Sequence, residues 1–424
     1  MPTDIKRITV IGAGQMGAGA TAVFGQEVPV YLLNRAPKER AERGLEAAVN
    51  AARSSSLRQR VTVGTYEQDM ERCIRESDLV YETLGEDLEL KRQYFTMVDK
   101  YRRPGTIVAT GSSGLSVAAM AKGMSNDFRK NFLCLHLYNP PTRLVAMEIV
   151  PGPETRPELI KDMAHVMEKT FRRVVLTAND VPAFAGNRIG FKVLNEVAML
   201  VPQYGVAMLD YLLGPYTGRL LAPLATVDLV GWDVHKAIVD NVYANTRDEA
   251  HASFKMPEYM DKLLAAGHLG DKTPDKGGFY KRQGNKTLVL DVKTGQYVDP
   301  PAVSVPIVEN VKQMLRYGSY REGMRTLLNS TEPEAAIVRR GILGYISYAG
   351  MREGDVGNMQ GINRVMGWGF NWTPVDAFAD IIGVPETVAL LRKEGLPVPK
   401  HLAAYKGSRL YNEVDDIARY LGGR

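Results

Sequence analysis

The chain has 424 residues, 45% hydrophobic and 24% charged, with 53 basic and 48 acidic side chains and a formal net charge of +5. At roughly 100–200 residues per domain this length makes two or three domains, and the composition is that of an ordinary globular protein. The charge is too mild for a nucleic-acid binder, the two cysteines have no disulfide or metal-ligand spacing, and no apolar run reaches the ~18 residues of a membrane span.

No metal, nucleic acid or membrane partner is therefore expected. Cys73 and Cys134 both lie in apolar or mixed runs, and the sequence enters a strand with no leader ahead of it. Both features point to the cytoplasm.

Residues 5–11 form an apolar strand that runs directly into Gly12-Ala-Gly14-Gln15-Met16-Gly17, followed by a helix of small apolar residues to Phe24. A GxGxxG turn set between a strand and a helix lets the backbone approach a pyrophosphate at the helix N-terminus. Dinucleotide binding at Gly12, Gly14, Gln15, Met16 and Gly17 is the expectation. The next strand, residues 29–33, ends at Asn34-Arg35, where an NAD site usually has an acid for the adenosine ribose. Asn34 does not repel a 2′-phosphate and Arg35 pairs with one, which keeps NADP open beside NAD. The other reading has Asn34 on the ribose and Arg35 as a solvated base.

Helices over residues 36–60, a strand at 61–63, another at 78–81 and a helix to Tyr101 continue the alternation. A fifth strand, 106–110, opens into Gly111-Ser112-Ser113-Gly114. Alternating strands and helices specify a parallel, doubly wound α/β sheet of Rossmann type. Ligands of such sheets gather at the carboxyl ends of the strands. Glu86, Lys91, Ser112, Ser113 and His136 all follow a strand end; read singly, each also fits a cap or turn. Residues 132–135 form an apolar strand delivering His136, the chain breaks at Asn139-Pro140-Pro141, and a second apolar run, 144–150, carries the lone carboxylate Glu148. A His and a Glu on neighbouring strands can pair as a general base and its orienting acid. The plain alternative is a core histidine beside an edge-strand glutamate.

Past the polar break at 179–188 the alternation stops. Residues 189–213 read as one long apolar helix, helical spacing continues to about Lys262, and Asp271–Tyr280 is a turn-rich loop. Residues 281–305 read as a hairpin or linker, and a second helical block runs from Ile307 to about Lys400. Pro223, Asp228 and Gly231 in the first block are matched by Pro374, Asp376, Asp380 and Gly383 in the second. PEYMDKLLAAG at 257–267 is matched by PETVALLRKEG at 385–395. A degenerate repeat follows. The domains expected are 1–183, an NAD(P)-binding Rossmann domain, and 184–300 and 301–424, two related all-α domains.

These motifs together resemble the L-3-hydroxyacyl-CoA dehydrogenase family over nearly the whole chain. HLYNPP followed by LVAMEIV is similar to the family's HFFNP…LVE, which implies a catalytic His136 and its partner Glu148. TGSSGLS resembles the segment bearing a substrate-contacting serine, here Ser113. GEDLELK resembles ENLELK and implies Glu86 and Lys91 as active-site and cofactor contacts. PAFAGNRI resembles PGFxxNR, implying an active-site Asn187, with Ala183 where the family has glycine. HLGDKTPDKGGFY resembles the family's G-KTGKGFY. The tandem helical blocks resemble multifunctional fatty-acid oxidation proteins, whose crotonase-type hydratase portion is expected to be absent.

The resemblance implies an oxidoreductase of fatty-acid and butanoate metabolism and β-oxidation. It would interconvert (S)-3-hydroxyacyl-CoA and 3-oxoacyl-CoA with NAD, or with NADP given Asn34-Arg35. A second helical copy covering the first implies a monomer, the homodimer being the alternative. Competing readings are an NADP-linked 3-hydroxyacid or a UDP-sugar dehydrogenase, and a non-catalytic crystallin-like relative that binds cofactor or acyl-CoA. A UDP-sugar oxidase needs a nucleophilic cysteine in a polar loop, and Cys134 lies within an apolar strand.

Overall fold

In the computed structural model, which describes residues 4–407, 409–413 and 418–421, short apolar runs form an eight-stranded sheet. Its strands are β1 (Ile8–Ile11), β2 (Val30–Asn34), β3 (Val61–Thr65), β4 (Leu79–Glu82), β5 (Ile107–Thr110), β6 (Phe132–Leu137), β7 (Ala146–Pro151) and β8 (Val174–Thr177). Their order is β3-β2-β1-β4-β5-β6-β7-β8. β1 to β6 run parallel and fully buried strands such as ITVI and IVAT fill the centre, as expected of a sheet covered on both faces.

The sheet departs from the all-parallel expectation at β7, which returns antiparallel to β6 with His136 paired to Glu148. Only eight residues, 138–145, join the two strands. A parallel crossover needs a dozen or more, so the short link forces the reversal. β8 then pairs parallel to β7. It is a four-residue edge strand with exposed Thr177, too short to announce itself by pattern.

Side chains alternate across β6 and β7. Leu133, Leu135, Leu137, Met147 and Ile149 join the main core with Val10, Phe24 and Tyr81. Cys134, His136 and Glu148 project from the opposite face. Of the two cysteines neither forms a disulfide, and both are buried.

Two compact units partition the chain: Met1–Ala185 with Gly354–Gly369, and Gly186–Glu353 with Phe370–Arg424. The helix Met359–Gly369 thus belongs with the sheet, packing on β7 and β8. Gly361 lies so close to Leu176 that an added Cβ would stand 2.0 Å from its Cδ1.

The first unit also holds the helices between Gln15 and Lys169; the second holds those from Gly186 to Met351 and from Val375 on, with a three-stranded antiparallel sheet of β9 (Tyr280–Gln283), β10 (Lys286–Asp291) and β11 (Gln296–Val298), where the sequence reads as a hairpin or linker. The single long helix expected over 189–213 is two, Gly186–Tyr204 and Val206–Leu212, broken at Gly205 with φ 78°. Both blocks build a helix–glycine–helix corner with an aspartate three residues before the glycine. Asp228 accepts the N–H groups of Phe279 and Tyr280 at 2.9 and 2.7 Å, and Asp380 accepts those of Leu410 and Tyr411 at 2.9 and 2.8 Å. Gly231 and Gly383 sit at the corners with φ 97° and 104°. Among the described residues no helix is long and apolar enough to cross a membrane.

Candidate active site

The carboxyl ends of β1, β4, β5 and β6 carry the expected ligand-facing residues. Gly12 follows β1 with φ 105°, a value costly for any residue with a Cβ. A Cβ there would come within 2.7 Å of Thr83 Oγ1, and one on Gly17 within 1.8 Å of the Gly12 carbonyl oxygen. These glycines are required by the turn itself. Gly14 is different: an added Cβ would meet nothing within 4 Å. Gly14 and Gln15 are exposed and Met16 half-buried at the start of the helix Gln15–Phe24. A tight turn whose packing demands glycine, with an open, glycine-floored approach to a helix N-terminus, fits a dinucleotide pyrophosphate.

At the end of β2, Asn34 Oδ1 accepts the backbone N–H of Arg35 at 2.9 Å. The oxygen is therefore engaged, and the amide presents its N–H₂ as a donor. Arg35 is exposed.

At the end of β6 the register sets His136 directly opposite Glu148, so the two side chains share a face at neighbouring-pair distance. His136 Nδ1 lies 2.6 Å from Glu148 Oε2. Tyr138 O–H donates to the same oxygen at 2.7 Å, and the Ala185 N–H donates to Oε1 at 2.9 Å. Glu148 is fully buried and His136 is 3% exposed. A carboxylate so placed makes Nδ1 the protonated nitrogen and leaves the lone pair on Nε2. The rings of Tyr138 and Phe184 flank the imidazole edge-on at 4.8 and 5.8 Å. Ala183 and Phe184 both hold left-handed backbone, φ 62° and 51°, which brings Phe184 onto the histidine and explains why glycine suits position 183.

Glu82, at the end of β4, is the acid that sequence reasoning passed over. It is fully buried and holds Lys91 Nζ at 2.7 and 3.0 Å, while Thr110 Oγ1 donates to it at 2.6 Å. Lys91 is 1% exposed and also reaches Leu84 O at 3.3 Å and Glu86 at 3.7 Å. A buried pair of this kind costs ~3–5 kcal/mol to break from one side, so Lys91 anchors the loop after β4. Glu86 in turn accepts Ser112 O–H at 2.5 Å and the Ser113 N–H at 2.9 Å, joining the loops that follow β4 and β5. Ser113 is half-buried beside this junction. Asp180, also unforeseen, caps the helix Val117–Ala121 through the N–H groups of Val117 and Ala118, each at 2.9 Å.

Asn187 lies in the first turn of the helix Gly186–Tyr204 and is buried; in the chain it stands two residues past Ala185. Burial pushes the Cys134 thiol well above its ordinary range, and Sγ contacts Ser112 O at 3.4 Å. A thiol kept protonated this way is no nucleophile, which removes the chemistry a UDP-sugar oxidase requires. Among the described residues no cluster of His, Cys, Asp or Glu has the makings of a metal site.

Comparison with known proteins bears on the same residues. The family model for the 3-hydroxyacyl-CoA dehydrogenase NAD binding domain matches residues 7–181, and that for the C-terminal domain matches 184–282. A probable 3-hydroxyacyl-CoA dehydrogenase of Deinococcus radiodurans is 33% identical over 292 residues, covering 66% of this chain and 83% of the relative. The chain belongs to the 3-hydroxyacyl-CoA dehydrogenase family. A probable 3-hydroxyacyl-CoA dehydrogenase of Bacillus subtilis is 31% identical over 94% of this chain, which spans about half (54%) of that relative's length. Among solved structures, 3-hydroxybutyryl-CoA dehydrogenase of Escherichia coli K12 shares the fold, with a TM-score of 0.68 at 19% identity, over 92% of this chain and 94% of that one. Family membership makes the first unit an NAD-binding domain of 3-hydroxyacyl-CoA dehydrogenase type.

Proposed function

We propose that the protein reversibly oxidises (S)-3-hydroxyacyl-CoA to 3-oxoacyl-CoA, within fatty-acid or butanoate metabolism. The observation that carries this reading is the buried His136–Glu148 pair at the same sheet edge as the glycine turn. The bound nicotinamide supplies a two-electron hydride acceptor. His136 Nε2 takes the proton of the substrate's 3-hydroxyl as the C3 hydride departs, and returns it in the reverse direction. Glu148 holds Nδ1–H, fixes the tautomer and stabilises the imidazolium. Ser113 positions the substrate oxygen, and Asn187 is assigned the same task by the family resemblance. Gly12, Gly14, Gln15, Met16 and Gly17 hold the pyrophosphate, Asn34 and Arg35 the adenosine ribose, and Glu86 with Lys91 shapes the loop beside the nicotinamide.

Asn34 supports acceptance of NADP as well as NAD, because a neutral amide presenting N–H₂ does not repel a 2′-phosphate. Monomeric assembly is supported by the packing of the first block's helix Gly186–Tyr204 on the second block's helix Pro333–Met351, joined by Arg188 Nε to Tyr348 O–H at 2.7 Å. Two buried free thiols suit a reducing cytoplasm.

The test is oxidation of NADH and of NADPH with acetoacetyl-CoA, longer 3-oxoacyl-CoA thioesters and free acetoacetate. Turnover of the thioesters is expected. Turnover of the free acid alone would favour the 3-hydroxyacid reading, and none at all the non-catalytic one. Sedimentation as a stable dimer would contradict the monomer.

A further inference from the structure

We propose that Tyr138 is a positioning residue that weakens the grip of Glu148 on a protonated His136 and so adjusts the pH at which the pair exchanges its proton. This rests on the dehydrogenase reading of His136. In the family's HFFNP motif the position of Tyr138 is a phenylalanine, which has no hydroxyl to offer; HLYNPP places a phenol there.

The phenol is well placed to act. Glu148 Oε2 receives both His136 Nδ1, at 2.6 Å, and Tyr138 O–H, at 2.7 Å. Two donors on one oxygen share its charge, and each lowers the hold on the other. Tyr138 is 6% exposed and Glu148 fully buried, so water does not screen the competition.

The ring is also held in place. Gly369, at the end of the helix Met359–Gly369, lies against it: an added Cβ would stand 3.1–3.2 Å from Tyr138 Cδ2, Cε2 and Cγ. Glycine there leaves the ring room to stay edge-on to the imidazole. A helix distant in sequence thus controls the phenol.

Other ionisable groups also face the pair. Cys134 neighbours His136 on β6 and feels Glu148, Glu86, Lys91 and Asp180. The helix behind Tyr138 contributes Arg364, which is turned to Val175 O at 3.5 Å.

The experiment is Tyr138→Phe in the full chain labelled with ¹⁵N-histidine. It has two readouts: the NMR titration midpoint of His136, assigned by loss of its signal in His136→Asn, and the pH profile of kcat/KM for 3-hydroxybutyryl-CoA oxidation. Removing the phenol takes one competing donor off Glu148 Oε2 and strengthens its hold on the imidazolium. The midpoint and the rising limb of the profile should both move up by about one pH unit, the size of one hydrogen bond to a charged group. In a Glu148→Gln background the same change should move neither. Gly369→Ala, which displaces the ring without deleting the hydroxyl, should move the midpoint in the same direction by less, and it serves alone if Tyr138→Phe does not fold. A midpoint unmoved in Tyr138→Phe, or in Gly369→Ala where that is the folded variant, overturns the proposal, as does an equal shift with Glu148 replaced. NMR reads His136 whether or not turnover passes through it. A shifted midpoint with an active His136→Ala enzyme would sink the catalytic reading and leave the role of the phenol standing.

Discussion

Replacing Glu148 by glutamine isolates the charge behind the histidine with little change of volume. The carboxylate accepts hydrogen bonds from His136 and Tyr138 on Oε2 and from the Ala185 N–H on Oε1. An amide cannot serve all three. With its oxygen at the Oε2 position, its N–H₂ faces the Ala185 N–H; turned over, it faces Nδ1 and forces the tautomer that puts the proton on Nε2. In either orientation the imidazolium formed during oxidation loses a charged partner at 2.6 Å. A hydrogen bond to a charged group contributes about 1.5–3 kcal/mol, so kcat should fall by roughly 10- to 150-fold. Glu148 does not contribute to the glycine turn, so reduced-coenzyme affinity, measured by fluorescence, should stay as in the wild type. The assay is initial rates in both directions beside a thermal melt, which separates loss of chemistry from loss of fold. A kcat within about threefold of wild type would refute the reasoning and make Glu148 a packing residue.

Three further outcomes are expected. Gly14→Ala should leave Tm unchanged yet raise the coenzyme KM about tenfold, since the new methyl fills only the approach to the helix, whereas Gly17→Ala should lower both Tm and coenzyme binding; equal coenzyme KM for Gly14→Ala and wild type would contradict this. Ala183→Gly should relieve the left-handed backbone at φ 62° and raise Tm by about 2 °C, a fall in Tm being the contrary result. His235 is fully buried on Asn195 Oδ1 at 3.0 Å, and burial pushes it down to about 3. Because the folded value lies below the unfolded ~6.5, its stability contribution is complete above ~6.5 and lost as pH falls towards 3, up to roughly 5 kcal/mol. His235→Gln should therefore flatten the acid side of the Tm–pH curve, and parallel curves for the two proteins would contradict it.

What was legible in the sequence was local or fell within one short loop. The strand–GxGxxG–helix unit announces itself because its glycines answer to contacts inside a few residues, Gly12 with Gly17 above all. The pairing of His136 with Glu148 was readable because eight residues admit only a hairpin-like return, and that return fixes the register. The same eight residues also hold the reason why the sheet is not parallel throughout. Glu82–Lys91 was hidden, since it depends on how the loop after β4 folds back over the sheet, and a lone acid closing an apolar strand is a faint signal. Tyr138 was visible as a phenol but its acceptor was not, because the direction of a side chain after a Pro-Pro turn is set by packing. The helix Met359–Gly369 lies some 200 residues beyond β7 and β8, and nothing in its own pattern says which unit it joins. The two helical blocks kept matching Asp–Gly corners, while Pro257 follows Gly231 by a whole helix and Pro385 follows Gly383 by two residues. Each block has two α-helices between its corner and the tail its aspartate holds, Trp232–Asn245 and Glu258–Ala265 in the first and Val384–Lys393 and Lys400–Ala404 in the second, so the corners set 385–395 against the helix that precedes 257–267 and the expected match of those two segments does not hold.

The central claim is that the imidazole of His136 moves the proton that accompanies hydride transfer. The most direct measurement is the turnover of His136→Ala in the reduction of acetoacetyl-CoA, followed by loss of reduced-coenzyme absorbance, with coenzyme binding measured on the same sample. The account predicts a kcat lower by ~10²–10⁴-fold with coenzyme affinity retained; turnover near that of the wild type would contradict it.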